Sequence, residues 1–460
     1  MDTLNQLTAQ GASIVWGPWL VVLLFGTHLF LTIRTGFMQR HLGHAIRLSV
    51  TKDADSPGDI SQFGALVTAL AATIGTGNIY GVAGAVLAGG PGAVLWMWLT
   101  GVFGIATKYA EALLSVKYRV TNEHGQMSGG PMFVLERGLG ARWAGSLFAV
   151  FTAVAAFGIG NMVQSNAIAD MIVAKKDLLP FVVSDANLKL GVGVVLTLVT
   201  AAVILGGIGS ISRFCTILVP FMAAGYVLGC LVMLVLHRDR LGAALHLIVT
   251  SAFTGQAAVG GFVGAGIAET MRHGVARGLF SNESGLGSAP IVAAAARTRD
   301  PVRQALVSST GTFWDTVVVC ALTGLVIVSS GHWQTEGLSK ATLCGAAFEK
   351  VGVFGDVILV GGLLTFVFST ILGWSYYGEK AVEYLAGVRA IRPYRLLWVA
   401  AVFVGCVWKS DALWNFSDMM NGLMAIPNLA ALILLSGVVA AESKRYFSTR
   451  GAGERLARSR

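Results

Sequence analysis

The residues Ala71-Ala72-Thr73-Ile74-Gly75-Thr76-Gly77-Asn78 interrupt an otherwise apolar run, Ile60–Ala88, with two glycines, two threonines and an asparagine. A glycine in a helix interior costs about 1 kcal/mol, and backbone that breaks within lipid leaves amides and carbonyls that are expensive without partners. A break there needs a cavity or a ligand. Unwound at Gly75, the chain would offer N–H groups at the start of a second half-helix, suited to a carboxylate. It would also offer carbonyls at the end of the first, suited to an ammonium or a metal cation. A zwitterion and a small cation together satisfy both ends. The competing reading is that the glycines only allow close helix packing. Packing is preferred for the pairs Gly81/Ala85 and Gly260/Gly264, and the ligand site for Gly75–Asn78.

The chain around this run has 460 residues, 55% of them hydrophobic and 12% charged, with 58 Gly, 10 Pro and a mean hydropathy of +0.69. Average proteins are about 25% charged. So few charges cannot clothe a water-soluble fold, and a disordered, collagen-like or disulfide-rich chain is excluded. A polytopic, all-α membrane protein remains. The five cysteines, Cys215, Cys230, Cys320, Cys344 and Cys406, have no metal-ligand spacing and read as small core residues. The net charge of +9 sits in loops between apolar segments, which argues membrane orientation and against nucleic acid. Met1–Ala12 carries no basic residue, so no secretory leader is expected there.

Crossing a bilayer takes about 20 apolar residues, and eleven spans are predicted: Ser13–Ile33, Ile60–Ala88, Gly92–Val116, Ala144–Val173, Leu190–Leu205, Phe214–Leu236, His246–Glu269, Gln304–Ser329, Asp356–Tyr384, Leu396–Trp408 and Leu413–Val439. Asn282–Ala296 is small-residue-rich and close to Arg297 and Arg299, and is expected at the cytoplasmic surface. Most of the 33 Lys and Arg fall after odd-numbered spans or in the tail, in Arg34–Lys52, Lys117–Arg142, Arg272–Arg303, Lys380–Arg395 and Lys444–Arg460. The positive-inside rule then puts the N-terminus outside and the C-terminus in the cytoplasm. One leading helix followed by ten is the arithmetic of an inverted repeat. The second and seventh spans, five apart, are both Gly-interrupted, the seventh at Phe253-Thr254-Gly255-Gln256 and Gly260-Gly261. The expected divisions are 1–59 (extra helix and basic loop), 60–240 and 241–440 (two five-helix halves), and 441–460 (basic tail).

Other polar residues in the spans are less decisive. Asn161 and Gln164, three apart, share a face and serve either as helix–helix glue or as a pocket wall. Ser369 and Thr370 lie mid-span with Trp374 one turn on, and hydroxyls there often bond only the preceding turn. Asp315 is an intramembrane acid, either functional or paired with a cation such as Lys108. The spans hold no His cluster and no Ser/His/Asp arrangement, and His273 beside Glu269 is a lone pair, so enzymatic chemistry is not expected. No soluble domain supports a sensor.

Several motifs, in order along the chain, carry a resemblance: Gly75–Asn78; Gly90-Pro91-Gly92-Ala93-Val94-Leu95-Trp96-Met97-Trp98; Ala106-Thr107-Lys108-Tyr109-Ala110-Glu111; Gly129-Gly130-Pro131-Met132; Gln164-Ser165-Asn166; Ser281-Asn282-Glu283-Ser284-Gly285-Leu286-Gly287-Ser288-Ala289-Pro290; Gly311-Thr312-Phe313-Trp314-Asp315-Thr316; and Ile371-Leu372-Gly373-Trp374-Ser375-Tyr376-Tyr377-Gly378-Glu379. From about residue 60 to about 435 the chain resembles the sodium-coupled alanine/glycine symporter family. The resemblance implies a LeuT-type fold of two inverted five-helix repeats, here after one extra helix, in a plasma membrane of the bacterial inner-membrane type. It implies that Thr76 and Gly77 hold the substrate carboxylate with Gln164 adding a contact, and that Phe253, Thr254 and Gln256 face the ammonium. It places Trp374 against the substrate side chain, leaving room for a methyl or a hydrogen.

Sodium, the coupling ion and the one ion implied, would be held by Ala71, Ile74, Phe366, Ser369 and Thr370, an all-oxygen set suited to a hard cation. Ala72 replaces the amide that some relatives of the fold use for a second sodium, so one sodium is expected. Ser284 stands where the family run has Ala. No cofactor and no soluble partner is implied. The alternative is the same carrier driven by protons, with Asp315 or Glu111 titrating.

Overall fold

The computed structural model describes residues 2–51, 56–176, 183–254, 266–408 and 410–458. The chain opens with α1 (Asp2–Val15) and α2 (Pro18–Arg34), bent at Trp16-Gly17. Pro18 at the first helical position loses nothing, because its missing N–H would have had no partner. Trp16 Nε1 donates to the Asp418 carbonyl at 3.0 Å, which fastens this leading element to the far end of the chain. A short helix with a basic face, α3 (Leu42–Ser49), follows.

The decisive run lies between α4 (Gln62–Thr73) and α5 (Val82–Gly89). Ser61 caps α4, its hydroxyl accepting from Gly64 N–H at 2.9 Å. The helix ends because Ile74 is extended (φ −76°, ψ 97°). Helical structure resumes at Gly77–Gly81 in a wide π turn, and the two halves are bent by 55°. Then come α6 (Gly92–Lys117), a hairpin of β1 (Val120–Thr121) and β2 (Met127–Ser128), α7 (Arg142–Ala174), α8 (Asp185–Ile204), α9 (Gly207–Leu236) and α10 (Arg238–Thr254). Beyond residues 255–265 lie α11 (Ile267–Asn282), α12 (Pro301–Ser330), α13 (Lys340–Phe348), α14 (Val353–Ala386), α15 (Ile391–Val407), α16 (Asp411–Leu434) and α17 (Ser436–Arg458).

Among the described residues, eight helices are long and apolar enough to cross a membrane, or nine counting α4 and α5 as one bent span. The spans predicted at Gly92–Val116 and His246–Glu269 are not among them. The first is α6, 26 residues long but carrying Lys108 and Glu111. The second is divided between α10, 17 residues and too short alone, and α11, across residues 255–265.

α14 runs through the middle of the molecule, packed against α4, α7, α9 and α15, and most of its residues from Phe366 to Glu383 are buried. Close approach is made possible by missing side chains: a Cβ on Gly373 would lie 2.6 Å from Ala72 Cβ, and one on Gly160 would lie 2.4 Å from Trp374 Cβ. Among the described residues, wide π turns occur at Gly77–Gly81, Val134–Gly138, Ala156–Met162 and Phe313–Cys320, and such turns often mark functional positions.

Asn282–Ala296, expected at the cytoplasmic surface, is buried within the protein at every residue. Its amides are taken up inside: Glu111 Oε1 accepts from Gly285 N–H at 3.0 Å, from Gly287 N–H at 3.1 Å and from Asn428 Nδ2 at 2.8 Å. Its small residues are what let it thread the core.

Candidate functional site

The break after α4 is held open by one side chain. Gly75 N–H donates to Asn78 Oδ1 at 2.8 Å, and Asn78 Nδ2 donates to Asp315 Oδ1 at 2.7 Å. The other Asp315 oxygen accepts from Ser281 at 2.9 Å and Thr316 at 2.7 Å. Asp315 therefore ties the break to α11 and α12 through neutral donors. Lys108 Nζ, also buried, makes no hydrogen bond among the described residues, so the alternative of a Lys108–Asp315 pair is not formed as a contact.

On one side of the break, five oxygens converge. Ser369 Oγ lies 3.0 Å from the Ala71 carbonyl and 2.8 Å from the Phe366 carbonyl. Thr370 Oγ1 lies 3.0 Å from the Phe366 carbonyl and 3.5 Å from that of Ile74. Ala71, Ile74, Phe366, Ser369 and Thr370 are thus together, three carbonyls and two hydroxyls without nitrogen or sulfur, as a hard cation prefers. Gly75 makes room for them: a Cβ there would sit 2.7 Å from Thr370 Oγ1.

On the other side is a small cavity of about 20 Å³, space for roughly one or two waters. Thr76 and Gly77 form one wall, where the first N–H groups of the second half-helix have no preceding turn to bond. Gln164 and Ile159 come from α7, Thr370 and Trp374 from α14, and Asn421 from α16. The Gln164 Nε2 group donates to the Ile159 carbonyl at 2.9 Å, while Gln164 Oε1 and Asn421 Oδ1 are buried without donors among the described residues. A wider cavity of about 500 Å³ shares Thr76, Gly77, Gln164 and Phe280 with the inner one and extends to Arg277, Lys340 and Asp418. Burial, with Arg277 nearby, pulls the Lys340 ammonium below its usual pKa.

Phe253 and Thr254 are not at this cavity. Both are exposed at the end of α10, with Phe253 edge-on to Trp96 and the Thr254 hydroxyl bonded to the Thr250 carbonyl. Gln256 lies outside the described residues. The segment that meets the cavity is the end of α11, with Phe280 and Glu283. Glu283 is buried and accepts from Trp374 Nε1 at 3.1 Å and from Ser288 Oγ at 2.5 Å. Its backbone is left-handed (φ 55°), as are Gly285 (φ 91°) and Gly287 (φ 84°). A non-glycine residue held there is strained, and such strain gathers at functional sites. Among the described residues, the interruption facing the first break is at Glu283–Gly287. The sequence signal was present, since an acid between polar residues and two spaced glycines needs partners in a membrane interior.

Two interrupted helices facing each other across a buried cavity, with crossing helices around them, define a polytopic membrane transporter of the LeuT-type fold. The structure is similar to that of MhsT in complex with L-phenylalanine, at a TM-score of 0.52 and 13% identity, covering 83% of this chain and 99% of that one. The sequence narrows the class: residues 1–459 match the model of the sodium:alanine symporter family, and the chain belongs to that family. It is 51% identical to the sodium/alanine symporter AgcS of Methanococcus maripaludis, over 94% of this chain and 95% of that protein. It is 49% identical to an uncharacterized transporter of Haemophilus influenzae, over 97% and 96% respectively. The family's activity is sodium-coupled amino-acid symport, with the chain embedded in a membrane.

Proposed function

We propose that this protein couples the inward movement of one sodium ion to uptake of alanine or glycine by alternating access. The observation that carries the reading is the juxtaposition at one helix break of an all-oxygen cluster and a cavity of about 20 Å³. Sodium at Ala71, Ile74, Phe366, Ser369 and Thr370 orders the end of α4, and so sets the Thr76 and Gly77 N–H groups toward a carboxylate. The ammonium meets Glu283 and the free oxygens of Gln164 and Asn421, the role first expected of Phe253, Thr254 and Gln256. Trp374, pinned by its bond to Glu283, closes the space beyond a methyl group. The similarity to AgcS supports alanine.

In this reading eleven helices cross the bacterial-type inner membrane, one leading helix and two inverted five-helix halves, with the N-terminus outside and the C-terminus in the cytoplasm. The wider cavity is then the route by which substrate reaches the inner one. The proton-coupled alternative rests on Glu111, whose Oε2 is buried without a hydrogen bond among the described residues.

The test is uptake of labelled alanine into proteoliposomes under an inward sodium gradient, against potassium and against choline at fixed pH. Sodium-dependent uptake is expected. Equal uptake in all three salts would overturn sodium coupling and direct attention to Glu111 and Asp315.

A further inference from the structure

A third cavity lies behind the cation-binding oxygens, away from the substrate. It is an apolar groove of about 380 Å³ whose floor is Leu70 and Ile74 of α4. Pro220 and Ala224 of α9 form one wall, and Trp314, in the wide turn of α12, forms the other. Its mouth opens on the flank of α9, where Ile217, Phe221 and Leu228 are exposed as expected of a lipid-facing surface. Two features mark one end of the groove. Val50, just after α3, lines it, and Arg47, exposed one turn earlier, shares its face. Arg213 precedes Pro220 by two helical turns and so lies on the same stripe of α9. It is level with the start of α4, because a Cβ on Gly64 would sit 2.4 Å from the hydroxyl of neighbouring Ser212.

We propose that this groove is a binding site for one acyl chain of an anionic phospholipid, with the headgroup phosphate held by Arg47 and Arg213. Guanidinium groups bind phosphate oxygens in pairs, and two of them at the end of an apolar slot select an anionic headgroup over a zwitterionic one. The same helix supplies the groove floor and the carbonyls of Ala71 and Ile74, so a chain seated there braces α4 against α14. Occupancy then tunes sodium affinity. That consequence rests on the proposed sodium site, whereas the lipid site does not.

The test uses the full chain in phosphatidylcholine vesicles doped with phosphatidylglycerol carrying brominated acyl chains, which quench nearby tryptophans. The difference between wild type and Trp314→Phe isolates Trp314. Brominated phosphatidylglycerol is expected to quench Trp314 at a lower mole fraction than brominated phosphatidylcholine. Arg47→Gln and Arg213→Gln should each raise the half-quenching mole fraction about fivefold, and Ala224→Phe should abolish the response. Equal quenching curves for the two lipids would mean ordinary boundary lipid and overturn the proposal, as would undiminished quenching in Ala224→Phe. If that variant does not fold, the exposed arginines still decide. Half-saturating sodium for alanine uptake should fall when phosphatidylglycerol is added to wild type but not to the double arginine variant. No change in wild type overturns the effect on α4, while quenching independently decides binding.

Discussion

Thr370 has two positions to fill, since its hydroxyl belongs to the oxygen cluster and its residue also lines the small cavity proposed for the substrate. Hydrogen bonds and contacts to charged groups contribute about 1.5–3 kcal/mol, so Thr370→Ala should raise half-saturating sodium by roughly tenfold or more, with Thr370→Ser restoring most of it. Titration of alanine uptake against sodium measures this. In the proposed reading Glu283 acts on the other ligand. Glu283→Gln keeps an oxygen for Trp374 and loses the charge, so the KM for alanine should rise about tenfold while the sodium dependence holds. A KM unchanged in that variant would remove Glu283 from the ammonium site.

Helix interruptions survive in a membrane interior only where their backbone groups find partners, and α4/α5 and α11 meet that demand differently. At the first break Asn78 supplies the missing acceptor for Gly75 and hands its own N–H to Asp315. At the second, Glu111 reaches from α6 to accept the two glycine amides. Asn78→Ala strips both bonds at once and leaves buried groups unpaired, at about 1–3 kcal/mol each. The expected result is a clear drop in thermal midpoint in detergent, together with weakened sodium binding, because Ile74 and Gly75 lose their anchor. A midpoint unchanged from wild type would show that the break is held by something other than Asn78.

Ligands that bind only the folded state stabilise the whole molecule by mass action, about 2.7 kcal/mol at a hundred times Kd. Sodium chloride in place of potassium chloride should therefore raise the thermal midpoint of the purified protein, and Thr370→Ala should remove most of that shift. Since alanine is a neutral zwitterion, one sodium makes transport electrogenic. An inside-negative potential contributes about 2.3 kcal/mol per charge per 100 mV and should accelerate uptake, whereas an electroneutral exchange would not respond.

Composition and hydropathy were enough to establish a polytopic helical membrane protein, because a chain with 12% charge has no other stable solvent. The Gly75–Asn78 break was legible for the same local reason, as glycines and small polar residues in mid-span are costly unless used. The oxygen cluster followed from resemblance, and the fold brings its five members together. Which segment faces that break was not legible. The placement of Ser281–Pro290 opposite that break depends on contacts with Glu111, Asn428 and Trp374, far away in sequence. The same holds for Asp315, whose donors come from three separate helical segments. Local chemistry determines where a helix must break, but only packing over long sequence separations decides what the break confronts.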